Sequence, residues 1–426
     1  MDAQQEIIEL LGFQRAEGIL NLDGISSVDI IKDYGSPLLV FSVRRLISNY
    51  ESIFKAFNTQ FGKVNIAYAL KANYLPSICT ALANEGAGAE VMTGMELFLA
   101  EQAGINPQKI VFNGPAKSPN ELSQAARAKV GLINAESLEE LKDLAETQWP
   151  AQLNQVGIRI SPRMSKEIRK NALVRPESKL GLDIERAKKA AKRYCKSPNY
   201  SFQSISVHVG CRHPPGLDVF TNSVKELAAF GRYLETELGL ELSTVDVGGG
   251  FPPRYLLEKT GTGIEDFASA AHEHLAVLRS SPTLIAEPGR YLVGDAAVCL
   301  ASVVRKKKSG GQTWALLNVG VNVLIPLGFA NYDIIPCKFK TPQKEKLSIG
   351  GPLCQPNDEF ARNLNINLAK GDPVAILNAG AYTLSMAGQF GYPQPGIAKI
   401  EDENLNLIRS PKSYDEVLQY LEDQNT

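Results

Sequence analysis

Three stretches of this sequence combine residue types that do chemistry when a fold holds them in place. Tyr68-Ala69-Leu70-Lys71-Ala72-Asn73 puts a lysine at the end of an apolar, strand-like run. A partly desolvated ε-amine there can form an imine with an aldehyde, although a strand-end lysine can equally snorkel into solvent. Asp246-Val247-Gly248-Gly249-Gly250-Phe251 follows another such run. Three residues without a Cβ let consecutive N–H groups close on an anion such as phosphate, or make a flexible turn. Glu287-Pro288-Gly289-Arg290 sets a carboxylate and a guanidinium three residues apart, able to bind a ligand or to pair with each other. His208 in Ser206-Val207-His208-Val209-Gly210, Cys354 in Gly350-Gly351-Pro352-Leu353-Cys354 and Tyr382 in Gly380-Ala381-Tyr382 each have an ordinary structural reading. Those readings are a core histidine, a buried thiol and a packing aromatic.

The elements that must position these residues follow one rhythm. From about Pro37 to Glu287, short apolar runs (38–43, 64–70, 88–92, 109–112, 130–134, 156–160, 204–209, 244–247 and 283–286) alternate with longer amphipathic stretches such as 76–85, 94–103, 118–128, 137–147, 184–192 and 219–238. Ser118-Pro119-Asn120-Glu121 has the Ser and Glu spacing of a helix-capping box. About eight such units in a row point to a parallel β/α barrel, whose active site would lie at the C-terminal ends of the strands. Periodicity alone does not separate a barrel from an open doubly wound sheet. After Glu287 strand-like runs (297–304, 313–319, 374–377) are separated by Gly/Pro turns until a helix-like stretch at 413–422. The expected division is a barrel over 36–285 and a β-rich domain built from 286–426 together with an N-terminal helix and connector over 1–35.

Composition bounds the function. With 426 residues, 44% hydrophobic, the chain is long enough for two domains at roughly 100–200 residues each. A net charge of -1 supplies no field for nucleic acid or an anionic membrane. Arg305-Lys306-Lys307-Lys308, followed by Ser309-Gly310-Gly311, reads as a solvated turn. The six cysteines include no CxxC pair, which argues against a zinc site or a disulfide framework and for a reducing compartment. The first residues, Met1-Asp2-Ala3-Gln4-Gln5-Glu6, form no basic and apolar secretory leader, and no apolar run approaches a membrane span. A cytoplasmic protein without nucleic-acid or membrane partners is expected.

The motifs YALKAN, GAEVMTGMEL, FNGPAKSPNEL, SVHVGC, DVGGGF, EPGRY, GPLC and GAYTLSMA occur in this order between about residues 36 and 392. Together they resemble the fold-type III pyridoxal-phosphate decarboxylases, the group of diaminopimelate, ornithine and arginine decarboxylases related to the alanine racemase barrel. The resemblance implies an α/β fold, a pyridoxal-phosphate-binding (β/α)8 barrel of the alanine racemase type with a C-terminal β-rich domain. It implies that Lys71 holds pyridoxal 5′-phosphate covalently, that His208 stacks on the pyridine ring and that Glu287 faces the ring nitrogen. Gly248, Gly249, Gly250 and Tyr382 would hold the phosphate, and Arg290 the phosphate or a substrate carboxylate. Cys354, reaching in from a partner subunit, would protonate the product carbanion, which implies a homodimer with shared active sites. Glu90 and Arg159 match positions lining the cofactor pocket.

Three departures bear on the amino-acid substrate. The acid that follows the cysteine in diaminopimelate and ornithine decarboxylases is Gln355 here, followed by Pro356. The arginine that follows a Leu-Ile pair in diaminopimelate decarboxylases is replaced by Pro326 after Leu324-Ile325. The serine usual after HxG is Cys211. An amide opposite a substrate ammonium loses both the charge-assisted bond and the neutralisation, which argues against free diaminopimelate, ornithine or lysine. The FNGPAK stretch is similar to decarboxylases of siderophore and antibiotic pathways, which act on conjugated, citryl- or carrier-linked amino acids. Two other readings compete: a racemase or epimerase on the same barrel, and a non-catalytic decarboxylase-like regulator.

Overall fold

The computed structural model describes residues 3–175, 177–326, 332–340 and 345–422. The chain divides into two compact units, residues 47–292, and residues 1–46 together with 293–426.

The 47–292 unit is a closed barrel of eight parallel strands: β1 (Val64–Ala69), β2 (Gly88–Val91), β3 (Ile110–Phe112), β4 (Leu132–Ala135), β5 (Gln155–Ser161), β6 (Ser201–Val207), β7 (Thr244–Asp246) and β8 (Thr283–Ala286). Leu284, Ile285 and Ala286 of β8 pair with Val64, Asn65 and Ile66 of β1, which closes the ring and excludes the open sheet. The strands are short and apolar because both faces are covered, the inner by the barrel's own filling and the outer by helices. Every residue of β2, β3 and β4 is buried. The helices start where the sequence supplies caps. Ser118 and Glu121 form a reciprocal capping box on the helix Pro119–Ala128, and the hydroxyls of Thr93 and Ser137 accept the backbone N–H groups of Glu96 and Glu140.

Alternation along the strands divides the barrel interior into layers. Ala67, Val111, Leu132 and Ile285, from β1, β3, β4 and β8, form an apolar plug. Two residues further on, towards the C-terminal mouth, the same faces carry Ala69, Asn113, Asn134 and Glu287. The polar layer therefore rests directly on the plug.

The other unit contains a mixed sheet in the order Glu359–Ile366, Glu345–Gly350, Gln312–Leu317, Ala297–Ser309, Leu38–Ser42, Gly396–Glu401 and Asn404–Arg409, with Pro373–Ile376 and Ile334–Pro336 branching from it. One correction to the sequence reading lies here. The run at 38–43, grouped above with the barrel strands, pairs with Ala297–Ser309 and Gly396–Glu401 instead. All five residues of Leu38–Ser42 are buried. An all-apolar run looks the same in a barrel wall and in the middle of any covered sheet, so the sequence does not reveal its partner. The division accordingly falls at 46/47 and 292/293 rather than at 35/36 and 285/286. Arg305 to Lys308 also lie within strand Ala297–Ser309, and the turn is confined to Gly310-Gly311. Among the described residues no helix is long and apolar enough to cross a membrane.

Ile285→Ala should remove plug volume without a replacement and destabilise the barrel by about 2–5 kcal/mol, measured by urea denaturation of the two proteins.

Candidate active site

The polar layer at the barrel mouth is one connected network. Lys71 sits in the single 3-10 turn Leu70–Ala72 that follows β1; Leu70 and Ala72 are buried and the lysine side chain is 26% exposed. Its Nζ pairs with Oε2 of Glu90 on β2. Asn113, just after β3, donates from Nδ2 to Glu90 Oε1 at 3.1 Å and to Glu287 Oε1 at 2.5 Å. Asn134 on β4 donates from Nδ2 to Asn113 Oδ1 and to Oδ2 of Asp246 on β7, both at 3.0 Å. Asp246 Oδ1 accepts the Gly248 N–H at 2.8 Å. A second arm runs from Glu136, just past β4, to Arg159 on β5 (2.6 Å), whose other guanidinium nitrogen donates to the His208 carbonyl at 3.1 Å.

His208 links this network to the glycine loop. Its Nδ1 lies 3.2 Å from Glu287 Oε2 and 3.0 Å from the Gly249 N–H. One ring nitrogen carries either a proton or a lone pair, so the contacts are alternatives: Nδ1–H donates to Glu287, whereas bare Nδ1 accepts from Gly249. The loop needs its glycines. A Cβ on Gly249 would collide with the carbonyl oxygen of Glu287, and Gly248 and Gly250 have φ of 70° and 91°.

Electrostatics sets the buried carboxyls apart. Burial raises the Glu287 pKa, but the hydrogen bond and charge of His208, with the charge of Lys71, overcome this and bring it to about 2. For Asp246 burial and the neighbouring Glu287 charge act together and push it well above the ordinary carboxylate range. Two adjacent acids driven in opposite directions mark a site arranged for charge. Glu96, in the first turn of helix Gly94–Gln102, is pushed up to about 7, chiefly by burial, against the Met92 N–H that it accepts.

Of the residues singled out from the sequence, Lys71, Glu90, Arg159, His208, Gly248, Gly249 and Glu287 fall within this network. Gly250 lies beside Cys211, whose Sγ is 3.9 Å from the Gly250 carbonyl oxygen. Arg290 is close enough to draw down a Cys211 thiol that burial pushes up to about 12. Cys354, Gln355 and Tyr382 belong to the other compact unit. There Cys354 is exposed rather than buried, Gln355 is half-buried, and Tyr382 is half-buried with a φ of 65°. Asp358 steadies this loop, accepting the Leu353 N–H at 2.7 Å and the Val321 N–H at 2.8 Å.

Residues 47–294, more than half of the chain, match the family model described as pyridoxal-dependent decarboxylase, pyridoxal binding domain. The chain belongs to this decarboxylase family. It is 31% identical to the diaminopimelate decarboxylase of Methanocaldococcus jannaschii, with 94% of each protein covered. It is 29% identical to that of Aquifex aeolicus, with 95% of this chain and 96% of the relative covered. The crystal structure of the M. jannaschii enzyme matches with a TM-score of 0.86 at 29% identity over 97% of both chains. That of the Helicobacter pylori enzyme complexed with L-lysine matches with a TM-score of 0.83 at 27% identity, over 94% of this chain and all of the other. This is a pyridoxal-phosphate-dependent amino-acid decarboxylase with the alanine-racemase-type barrel.

The decarboxylase's barrel mouth suits that cofactor: an amine for its aldehyde, a buried anion for its ring nitrogen, and a glycine turn from which side chains are excluded for its phosphate. Asn113, Asn134, Glu136, Glu96 and Asp246 were not singled out as site residues from the sequence. A signal was available for Asn113, Asn134 and Asp246, each a polar residue in or at the end of a buried apolar strand and on its inner face.

Glu96→Gln checks the electrostatics. A carboxyl whose folded pKa lies above its unfolded value, about 4.3, loses stability as pH rises between the two. The Tm of Glu96→Gln relative to the parent should therefore climb from about pH 4 to pH 7 and then level off.

Proposed function

We propose that this decarboxylase removes the α-carboxylate of an amino acid whose distal end is neutral or conjugated, such as a citryl- or carrier-linked one. The observation that carries the catalytic part is the joining of Lys71 and an anionic Glu287 through Glu90 and Asn113 at the barrel mouth. Bound pyridoxal phosphate supplies the electron sink for the pair left on the α-carbon when CO₂ departs.

The chain's own residues do the rest. Lys71 would hold the cofactor through its aldehyde carbon, with Glu90 as the counter-charge of its amine. Glu287 keeps a proton on the ring nitrogen, because an adjacent anion favours the charged form. His208 would lie against the ring, and the Arg159–Glu136 arm holds its carbonyl. The glycine loop would bind the phosphate, and Arg290 the phosphate or a substrate carboxylate. Cys354 donates a proton to the carbon that has lost CO₂. Its exposure in the second unit supports delivery by a partner subunit, so two copies would complete each site.

The substrate reading rests on Gln355 and Pro326. An uncharged amide gives a distal ammonium no counter-ion, and proline replaces the guanidinium that would meet a distal carboxylate. Free diaminopimelate is the competing substrate, since the relatives described above are named for it.

Mass spectrometry for CO₂ loss across free and conjugated amino acids decides between the two. Conjugates should turn over with a kcat/KM above that of free diaminopimelate, and the reverse order would remove the substrate proposal. Gln355→Glu should raise kcat/KM for free diaminopimelate by about 10–100-fold, the value of one charge-assisted contact. Lys71→Ala should lose both CO₂ release and the absorbance of covalently held cofactor.

A further inference from the structure

The carboxyl groups of Asp246 and Glu287 face each other with too many acceptors for their donors. The two residues are 1% and 2% exposed; Asp246 ends β7 opposite Ile285 of β8, and Glu287 immediately follows β8. The amide groups around them are already committed. Asn113 spends both Nδ2 protons on Glu90 and Glu287, and Asn134 spends both on Asn113 and Asp246. The two carboxyls are nevertheless near enough for each to bear on the other's ionisation. Two buried carboxylates that close repel and cannot hydrogen-bond each other, whereas a proton on one of them turns the repulsion into a bond.

The surroundings say which. Glu287 faces the two basic groups, His208 directly and Lys71 by its charge. Among the described residues Asp246 meets only neutral donors, the Gly248 N–H and the Asn134 amide, while the charges of Glu287 and Glu90 oppose its ionisation. We propose that Asp246 is a neutral carboxylic acid that donates its proton to Glu287, a positioning residue that fixes Glu287 as the anion presented to the cofactor's ring nitrogen. Without it the mouth would enclose three carboxylates, Glu90, Asp246 and Glu287, around Lys71 and His208. The inference builds on the role given above to Glu287, but the location of the proton can be measured without turnover.

Infrared spectra of the full-length protein at neutral pH, with and without pyridoxal phosphate, test it through the carbonyl stretch of a protonated carboxyl. In the Glu96→Gln background, which removes the glutamate pushed up to about 7, the band should shift when aspartate side chains carry carbon-13, stay when glutamate side chains do, and vanish on adding Asp246→Asn. Absence of an aspartate-labelled protonated-acid band, an aspartate band that survives in Asp246→Asn, or a glutamate-labelled band that persists once Glu96→Gln has removed the contribution of Glu96 would each overturn the proposal. The labelled wild-type protein keeps the test decisive if the variant does not fold. Cofactor affinity supplies a second readout: Asp246→Asn, which keeps a donor towards Glu287, should bind pyridoxal phosphate at least about tenfold more tightly than Asp246→Ala. Equal affinities would sink the positioning role. Failure of every amino acid to release CO₂ would instead count against the proposed reaction and leave the proton assignment standing.

Discussion

A carboxyl enclosed by a β-barrel must find donors or give up its charge, because burial removes the water that would otherwise stabilise it. The mouth of this barrel meets the demand in both ways at once. Glu90 pairs with Lys71, Glu287 is held by Asn113 and His208, and Glu136 is held by Arg159. Asp246, which has no cation beside it, is the acid driven towards its neutral form. The partners come from different strands, so the network exists only once the barrel has closed. Charge placement and fold are therefore the same problem.

The two asparagines show how this works mechanically. An amide is uncharged and has two donors and an acceptor, so it can connect carboxyls without adding to the charge. Asn113, just after β3, and Asn134, on β4, carry hydrogen bonds from Glu90 on one side to Asp246 and Glu287 on the other. The apolar plug of Ala67, Val111, Leu132 and Ile285 sets the floor beneath them and keeps solvent out. The fixed dipoles of such a network act with little reorganisation, the condition under which a protein environment stabilises charge effectively.

In the second unit a single carboxylate performs a comparable task on loops. Asp358 accepts N–H groups from Leu353 and Val321, which ties the turn bearing Cys354 and Gln355 to the segment that continues into Leu324, Ile325 and Pro326. The three positions at which this chain departs from the diaminopimelate decarboxylase pattern are thus distributed unevenly. Gln355 and Pro326 lie on loops joined by Asp358, whereas Cys211 lies beside the glycine loop of the barrel.

Much of this was written locally in the chain. The alternation of apolar and amphipathic stretches specified a β/α architecture, since side-chain period and cap residues act over a few residues. The ordered motifs pointed to the cofactor class together, because each one alone has an ordinary structural reading and only their joint order along the chain resembles one family. What the sequence could not fix was anything that depends on which strands become neighbours. The run at 38–43 is as apolar as a barrel strand, and only pairing with Ala297–Ser309 and Gly396–Glu401 assigns it to the other sheet. Asp246 read as the residue before a glycine loop, and only its approach to Glu287, 41 positions away, makes it the neutral member of a pair. Protonation state is a property of distance and burial, and both are created when the barrel closes.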